Sequence, residues 1–392
     1  MSLRLLVSCG EASGDLYAGA LTRELRALDP SIVVAGLGGP QLEAAGGQLL
    51  DDYRELSVTG LVEWIPKLPR LLAARRKLVD AARAQRPDAL VLIDFSGFNF
   101  RLAPAIKRLG VPVIYYISPQ IWASRPGRLA TMRAIADRVL VIFPFEAAIY
   151  DRGGVPVEFV GHPLIDLTKP SVSRDSFLAA RGLRPSAATV TMLPGSRANE
   201  VSCILPTLVA AAGLIRQAVP DVQFVVARAP RLDDALFDAV RSTQADGPRF
   251  TVVEGDTDAA LASSDVALTA SGTATVQAAL HDTPMVVVYR MAPLSFQLAR
   301  RVVKVEAIGM VNLIAGEKIV PELVQDAFTA EAVAREAIDI LTNRPRAARI
   351  RDGLASVRAK LGGPGASRRA AEAILRVVQQ KGSRDEAGTF ER

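Results

Sequence analysis

Cysteine and histidine are almost missing from this 392-residue chain, which holds two of each: Cys9, Cys203, His162 and His281. Two cysteines cannot build a disulfide framework or a cysteine-ligated zinc site. Two histidines exclude a His-rich metal centre. Aromatic residues make up only 5%, which leaves the core to Ala, Val, Leu and Ile. Long hydrophobic runs are lacking as well. The longest, Leu208 to Ile215, is less than half of the roughly 20 residues that cross a bilayer. The apolar N-terminal run Leu5–Cys9 leads straight into Gly10-Glu11 and Asp15 rather than a cleavage region, so the expected location is the cytoplasm. Two cofactor fingerprints are absent. The first turn is spaced Gly10-x-x-x-Gly14 instead of Gly-x-Gly-x-x-Gly, and no Walker-type Gly-x-x-x-x-Gly-Lys-Ser/Thr occurs. Both absences speak against a dehydrogenase or a P-loop enzyme, and no cofactor is expected.

What remains is an ordinary folded composition, 49% apolar and 22% charged, in a length that suits about two domains. The 47 basic and 41 acidic residues leave a net charge of +6, which allows anionic partners without choosing among them. Short β-branched runs alternate with helical stretches. Candidate strands are Arg4–Ser8, Ile32–Gly36, Ala89–Asp94, Pro112–Ile117, Val139–Phe143 and Val157–Val160. After a break at Leu167–Pro185 they resume at Thr189–Leu193, Gln223–Ala227, Phe250–Val253, Val266–Thr269 and Met285–Tyr289. Continuous apolar runs such as Ala89–Ile93 indicate parallel strands covered on both faces. The expected fold is α/β: two Rossmann-like domains with parallel sheets facing a central cleft. The expected boundaries are 1–167 for the first domain, 168–365 for the second, and 366–392 for a C-terminal helix ending in a disordered polar tail, Lys381–Arg392.

Parallel sheets bind ligands beyond the carboxyl ends of their strands, near helix N-termini. Four such loops carry chemistry. After the first strand, Gly10-Glu11-Ala12-Ser13-Gly14-Asp15 offers Ser13 or Asp15 as a helix cap and Glu11 at the mouth. Asp94, before Phe95-Ser96-Gly97, reads equally as a turn former or as a carboxylate able to take a proton. In the second half, Pro194-Gly195-Ser196-Arg197 and Ser271-Gly272-Thr273 each end a strand. Small residues there expose backbone N–H groups to an anion, and Arg197 adds a fork suited to phosphate. Together the two loops suggest a diphosphate site, although a Ser/Gly turn alone is commonly only a turn. His162 reads as structural, His281 as a turn residue and Cys9 as core.

One stretch suggests a surface partner. From Lys67 to Arg86 there are seven Lys or Arg residues and one acid, Asp80. Trp64, Ile65, Leu68, Leu71 and Leu72 could enter lipid while the cations meet anionic headgroups. An ordinary helix packed on a sheet would produce the same pattern.

Taken together, Gly10–Asp15, Ile93–Asn99, Tyr116–Ala123, Val160–Leu164, Leu193–Arg197, Ala270–Thr275, Tyr289–Met291 and Asn312–Gly316 resemble, in order, the lipid-A-disaccharide synthase family of bacterial glycosyltransferases. The resemblance spans residues 5 to about 325. It implies a GT-B type fold and a metal-independent, inverting transfer. The donor would be UDP-diacylglucosamine and the acceptor diacylglucosamine 1-phosphate, joined as a β-1,6 disaccharide. It implies work at the inner-membrane surface and no nucleic acid partner, and it leaves a homodimer open. By the same resemblance Asp94, or else Glu11, is the base. Gly195, Ser196, Arg197, Ser271, Gly272, Thr273, Gln277, Asn312 and Glu322 would serve the nucleotide. The chain departs from the family at Gln277, where a Glu is usual, and at Ser124, Ala307 and Val311, in place of Trp, Tyr and Pro. Rival readings are another UDP-sugar enzyme of the same fold, such as a peptidoglycan glycosyltransferase or a 2-epimerase, and a catalytically silent nucleotide-binding protein.

Overall fold

The computed structural model describes residues 2–56, 64–119, 127–170, 172–241, 247–291 and 307–389. The chain divides into two compact units, Met1–Pro163 with Leu361–Arg392, and Leu164–Lys360.

The first unit holds seven strands: β1 (Arg4–Cys9), β2 (Val33–Gly38), β3 (Gln48–Asp52), β4 (Ala89–Ile93), β5 (Val113–Tyr116), β6 (Arg138–Val141) and β7 (Val157–Phe159). They form one parallel sheet in the order β3-β2-β1-β4-β5-β6-β7. The central strands are buried throughout because helices cover both faces; every residue of β4 is at 0% exposure. The chain runs outward from β1 through β2 to β3, then returns to β4, so the strand order reverses between β1 and β4.

The second unit repeats the plan with β8 (Thr189–Leu193), β9 (Gln223–Arg228), β10 (Phe250–Glu254), β11 (Val266–Ala270), β12 (Met285–Tyr289) and β13 (Glu322–Val324). Its parallel order is β10-β9-β8-β11-β12-β13, reversing between β8 and β11. Two parallel sheets flanked by helices make this a GT-B type α/β fold.

Two strands escape the sequence pattern, and both lie on sheet edges. In β3, Gln48-Leu49-Leu50-Asp51-Asp52 is half polar and buries only Asp51. In β13, three residues follow Pro321, too few to show a period.

The helix Ala12–Leu28 begins at Glu11, without a side-chain cap. Asp15 caps a different helix instead. Its buried carboxylate accepts from the N–H groups of Gly39 (2.8 Å), Gln41 (2.9 Å) and Leu42 (3.1 Å), at the start of Pro40–Ala44. Ser173 does cap the helix that follows it, Arg174–Ala179, accepting from the Ser176 N–H. The C-terminal helix Ala366–Thr389 belongs to the first unit, where Arg376 pairs with Glu158 at 2.6 Å and Arg369 Nε donates to the Val160 carbonyl at 2.8 Å. It includes most of the stretch expected to be a disordered tail. Once a helix is nucleated, each further residue adds a bond at little cost, and Gln, Lys, Arg, Glu and Ala all favour that extension.

The basic helix Trp64–Gln85 packs with a stripe of Leu71, Ala74, Leu78 and Ala82, all at or below 5% exposure, against the sheet. Leu71 therefore belongs to the core and not to a lipid-facing surface. Leu68 and Leu72 are 41% and 45% exposed. The Trp64 and Ile65 side chains lie outside the described residues. Part of the basic charge is already engaged. Arg70 clamps Asp51 and Glu55, and Arg75 Nε donates to the Arg101 carbonyl at 2.9 Å.

One described helix, Ala198–Ala218, is long and apolar enough to cross a membrane. It buries Val201, Ile204, Leu205, Leu208, Ala211, Ala212 and Ile215 within its unit.

Candidate active site

Each reversal of strand order opens a crevice at the carboxyl ends of the strands, where ligands bind in open α/β sheets. In the first unit β1 and β4 are neighbours with Cys9 opposite Ile93. The loops that follow, with Glu11 and with Asp94, are thereby brought to the same place. Phe95 reaches back over the first of them. A Cβ at Gly10 would lie 2.1 Å from Phe95 Cγ, so only glycine fits there.

The backbone at Asp94 is held in a costly shape. Asp94 and Phe95 have φ of 47° and 46°, and Ile117, after β5, has 58°. Non-glycine residues in this region, β-branched ones above all, are uncommon. The surroundings over-determine the conformation. The Asp94 N–H donates to the Ile117 carbonyl at 3.1 Å, and the Ile117 N–H donates to the Leu140 carbonyl at 3.0 Å. The Asp94 carbonyl accepts from Asn99 Nδ2 (2.8 Å) and from the Tyr115 hydroxyl (2.7 Å). Asn99 is fully buried and takes the Ser8 hydroxyl on its Oδ1 at 2.7 Å. Asp94 itself is only partly buried. Its charge adds to burial in holding the Tyr17 and Tyr115 phenols well above the usual range.

His162 serves no such role. It is 2% exposed between Tyr17 and Phe143, and burial pushes its pKa down to about 3, so the ring is a neutral core group. Cys9 is likewise core, its thiol pushed up chiefly by burial and also by the nearby Asp15 charge.

In the second unit β8 and β11 are neighbours, with Leu193 opposite Thr269. The loops 194–197 and 271–273 lie side by side at the reversal. Each leads into a helix, Ala198–Ala218 and Thr273–Leu280, whose N-cap residues Arg197 and Gly272 supply no side-chain cap. The first N–H groups of a helix have no intrahelical acceptor, and the dipole there favours an anion. Ser271 Oγ donates to the Ile308 carbonyl at 2.7 Å, tying its loop to the segment after residue 306.

Asn312 and Glu322 build that segment from beneath. Asn312 is 2% exposed, and Nδ2 donates to the Val320 carbonyl (2.9 Å) and to Glu322 (2.7 Å). Its Oδ1 accepts from Ile319 and Val320 at 2.9 and 3.0 Å. Glu322 accepts from the N–H groups of Ile308 and Gly309, both at 2.9 Å. All the bonding capacity of the Asn312 amide is thus spent inside the protein. Ala307 and Val311 are buried in the same segment, and Ser124 lies outside the described residues. Gln277 Nε2 lies 3.4 Å from Asp258 Oδ1, which also meets His281 Nε2 at 3.0 Å.

Sequence reasoning missed Glu200. Its Oε2 accepts from the Ser196 N–H at 3.1 Å, and its Oε1 lies 3.6 Å from Arg197 Nη1. A Glu at the third helical position is a recognised sign of a helix start and was there to be read. Among the described residues, no group of three or more His, Cys, Asp or Glu side chains is arranged to hold a metal ion.

The sheets and their reversals define a two-unit α/β fold of the GT-B type. The crystal structure of a UDP-GlcNAc 2-epimerase from Neisseria meningitidis bound to UDP-GlcNAc is similar in fold, with a TM-score of 0.65 at 13% identity over 96% of this chain and 100% of that one. The model of the lipid-A-disaccharide synthetase family matches residues 5–377. The lipid-A-disaccharide synthases of Trichlorobacter lovleyi and Koribacter versatilis are each 42% identical, over 96% and 97% of this chain and 98% and 100% of theirs. The chain belongs to the lipid-A-disaccharide synthase family and is a glycosyltransferase.

Proposed function

We propose that Asp94 takes the proton from the acceptor's 6-hydroxyl, while Arg197 and the helix ends after β8 and β11 stabilise the departing UDP. The reaction moves a 2,3-diacylglucosamine unit from UDP to 2,3-diacylglucosamine 1-phosphate, giving a β-1,6 disaccharide phosphate and UDP. The acceptor O6 bonds to the donor's anomeric carbon as the carbon–diphosphate bond breaks. The O6 proton goes to the Asp94 carboxylate, and the electron pair leaves with the diphosphate. Negative charge grows on that leaving group, so fixed N–H groups and a guanidinium lower the barrier. Inversion requires attack on the anomeric carbon from the face opposite the leaving group.

The observation that carries this reading is the over-determined, left-handed backbone at Asp94, at the point where the first sheet reverses its order. Strain held by that many bonds fixes where the carboxylate stands. Glu11 shares the crevice and is the alternative base. Gly195, Ser196, Gly272 and Thr273 offer backbone N–H groups, and Ser271 and Gln277 line the same end of the second sheet. Asn312 and Glu322 support the loop from below. Both substrates carry acyl chains, so the enzyme works at the inner-membrane surface. The exposed Leu68 and Leu72 support contact there, with Trp64 and Ile65 earlier on the same helix.

The deciding experiment is Asp94→Asn, assayed for disaccharide formation by mass spectrometry and for UDP binding by calorimetry. Turnover should fall at least about 10²-fold, as for loss of a general base, with UDP affinity unchanged. Equal losses in both would make Asp94 structural.

A further inference from the structure

The diphosphate loop already holds an anion of its own. The Glu200 carboxylate accepts from the Ser196 N–H at 3.1 Å and stands 3.6 Å from the Arg197 guanidinium. Those two donors are the ones assigned to the leaving diphosphate. The loop is shaped around this side chain. Gly195 has φ +127°, and a Cβ there would lie 2.6 Å from both Glu200 Cβ and Oε2. The carboxylate is 20% exposed on its side chain, while Arg197 is 40% exposed. Its charge reaches further than the two contacts. Tyr289, at the end of β12, has its phenol raised chiefly by burial and then by Glu200, against the opposing pull of Arg197.

One N–H cannot serve two full acceptors at once, and two anions held side by side repel in a partly desolvated site. A diphosphate that takes the Ser196 N–H must therefore drive the Glu200 carboxylate off it, although the Arg197 guanidinium has donors for both anions. We infer that Glu200 is an internal competitor for the diphosphate site: it lowers the affinity for UDP and so hastens release of that product. This rests on the diphosphate reading of the loop. A helix start needs only an uncharged acceptor at this position, and a glutamine would supply one. The negative charge is what repels phosphate.

The test is calorimetric titration of UDP into the wild-type protein and into Glu200→Gln, Glu200→Asp and Arg197→Ala. Removing one charged competitor from a hydrogen-bonded site should tighten UDP binding about tenfold in Glu200→Gln. Glu200→Asp, shorter by one methylene, should shift the same way by less. With UDP bound in a crystal, Glu200 should have left the Ser196 N–H. If Glu200→Gln binds UDP as weakly as wild type, or more weakly, while Arg197→Ala loses affinity, Glu200 is a helix cap and the inference fails alone. If Arg197→Ala keeps wild-type affinity, the diphosphate reading falls, and the inference with it. Should Glu200→Gln not fold, Glu200→Asp and the UDP-bound crystal decide.

Discussion

Lowering the pH should destabilise the first unit through a single buried ring. His162 is 2% exposed, packed edge-on to Tyr17 at 6.2 Å and against Phe143 at 5.3 Å. Its pKa is pushed down from 6.5 to about 3 by burial. In the unfolded chain the same ring takes a proton near pH 6.5. The sign follows from linkage. Above pH 6.5 both states hold a neutral ring and the group is indifferent. As the pH falls towards 3 the unfolded state binds a proton that the folded state refuses, so stability is lost progressively across that window. Between about pH 7.5 and about pH 5, one such group costs about 2 kcal/mol. For a unit of this size that corresponds to roughly 4–8 °C in melting temperature. The comparison is His162→Gln, which stays polar but cannot charge. Both proteins carry the same carboxylates, so the difference between their pH-induced shifts isolates His162. Thermal melts followed by circular dichroism should show the wild-type midpoint dropping further than the variant's by that amount. Proton NMR gives a second reading, because only His162 and His281 contribute imidazole signals; the His162 signal should not titrate above about pH 5. Equal pH-induced shifts in the two proteins would refute the account.

Further outcomes follow from the same contacts. Arg197→Ala should weaken UDP binding by about tenfold or more and slow transfer, the usual scale for a charge-assisted bond; wild-type kinetics would remove Arg197 from the leaving-group site. Gly10→Ala puts a Cβ 2.1 Å from Phe95 Cγ. It should cost about 1–3 kcal/mol in a denaturant melt and reduce turnover by shifting Phe95 and the adjoining Asp94; a fully active, equally stable variant would break that link. Leu68→Ser with Leu72→Ser should move the protein from liposome pellets to the supernatant without lowering its melting temperature, since both side chains are exposed. Leu71→Ser should lower the melting temperature because Leu71 is core, and unchanged sedimentation of the double variant would count against membrane contact by this helix.

The parallel two-unit fold was legible because buried parallel strands leave continuous apolar runs, and Ala89–Ile93 is buried at every position. The edge strands β3 and β13 were not, because an edge strand needs no such run and Gln48–Asp52 carries two acids. The positions of the candidate loops could be read from the rule that ligands sit beyond strand ends, but their contacts could not. Asp15 illustrates the limit. A helix-cap residue type next to a helix start suggests a local cap, yet the carboxylate serves the helix at Pro40–Ala44, 24 to 27 residues along the chain, which only the pairing of β1 with β2 brings within reach. Asn312 illustrates it again. Its place in the motif points to the nucleotide, while its amide is consumed by Val320, Ile319 and Glu322. Leu71 and Leu72 are neighbours in sequence and opposite in fate, because a helix turns about 100° per residue and only one of them falls on the stripe that meets the sheet. In all three cases the residue type announced a capacity, to accept, to donate or to be buried, and the tertiary neighbours decided where it was spent. The same distinction separates Asp94 from Asp15. Both carboxylates follow strands that meet at the reversal, but Asp15 is buried with three backbone donors already spent on it, whereas Asp94 has its backbone fixed in the left-handed region and is only partly buried, which is why the proposed base is Asp94 and not Asp15.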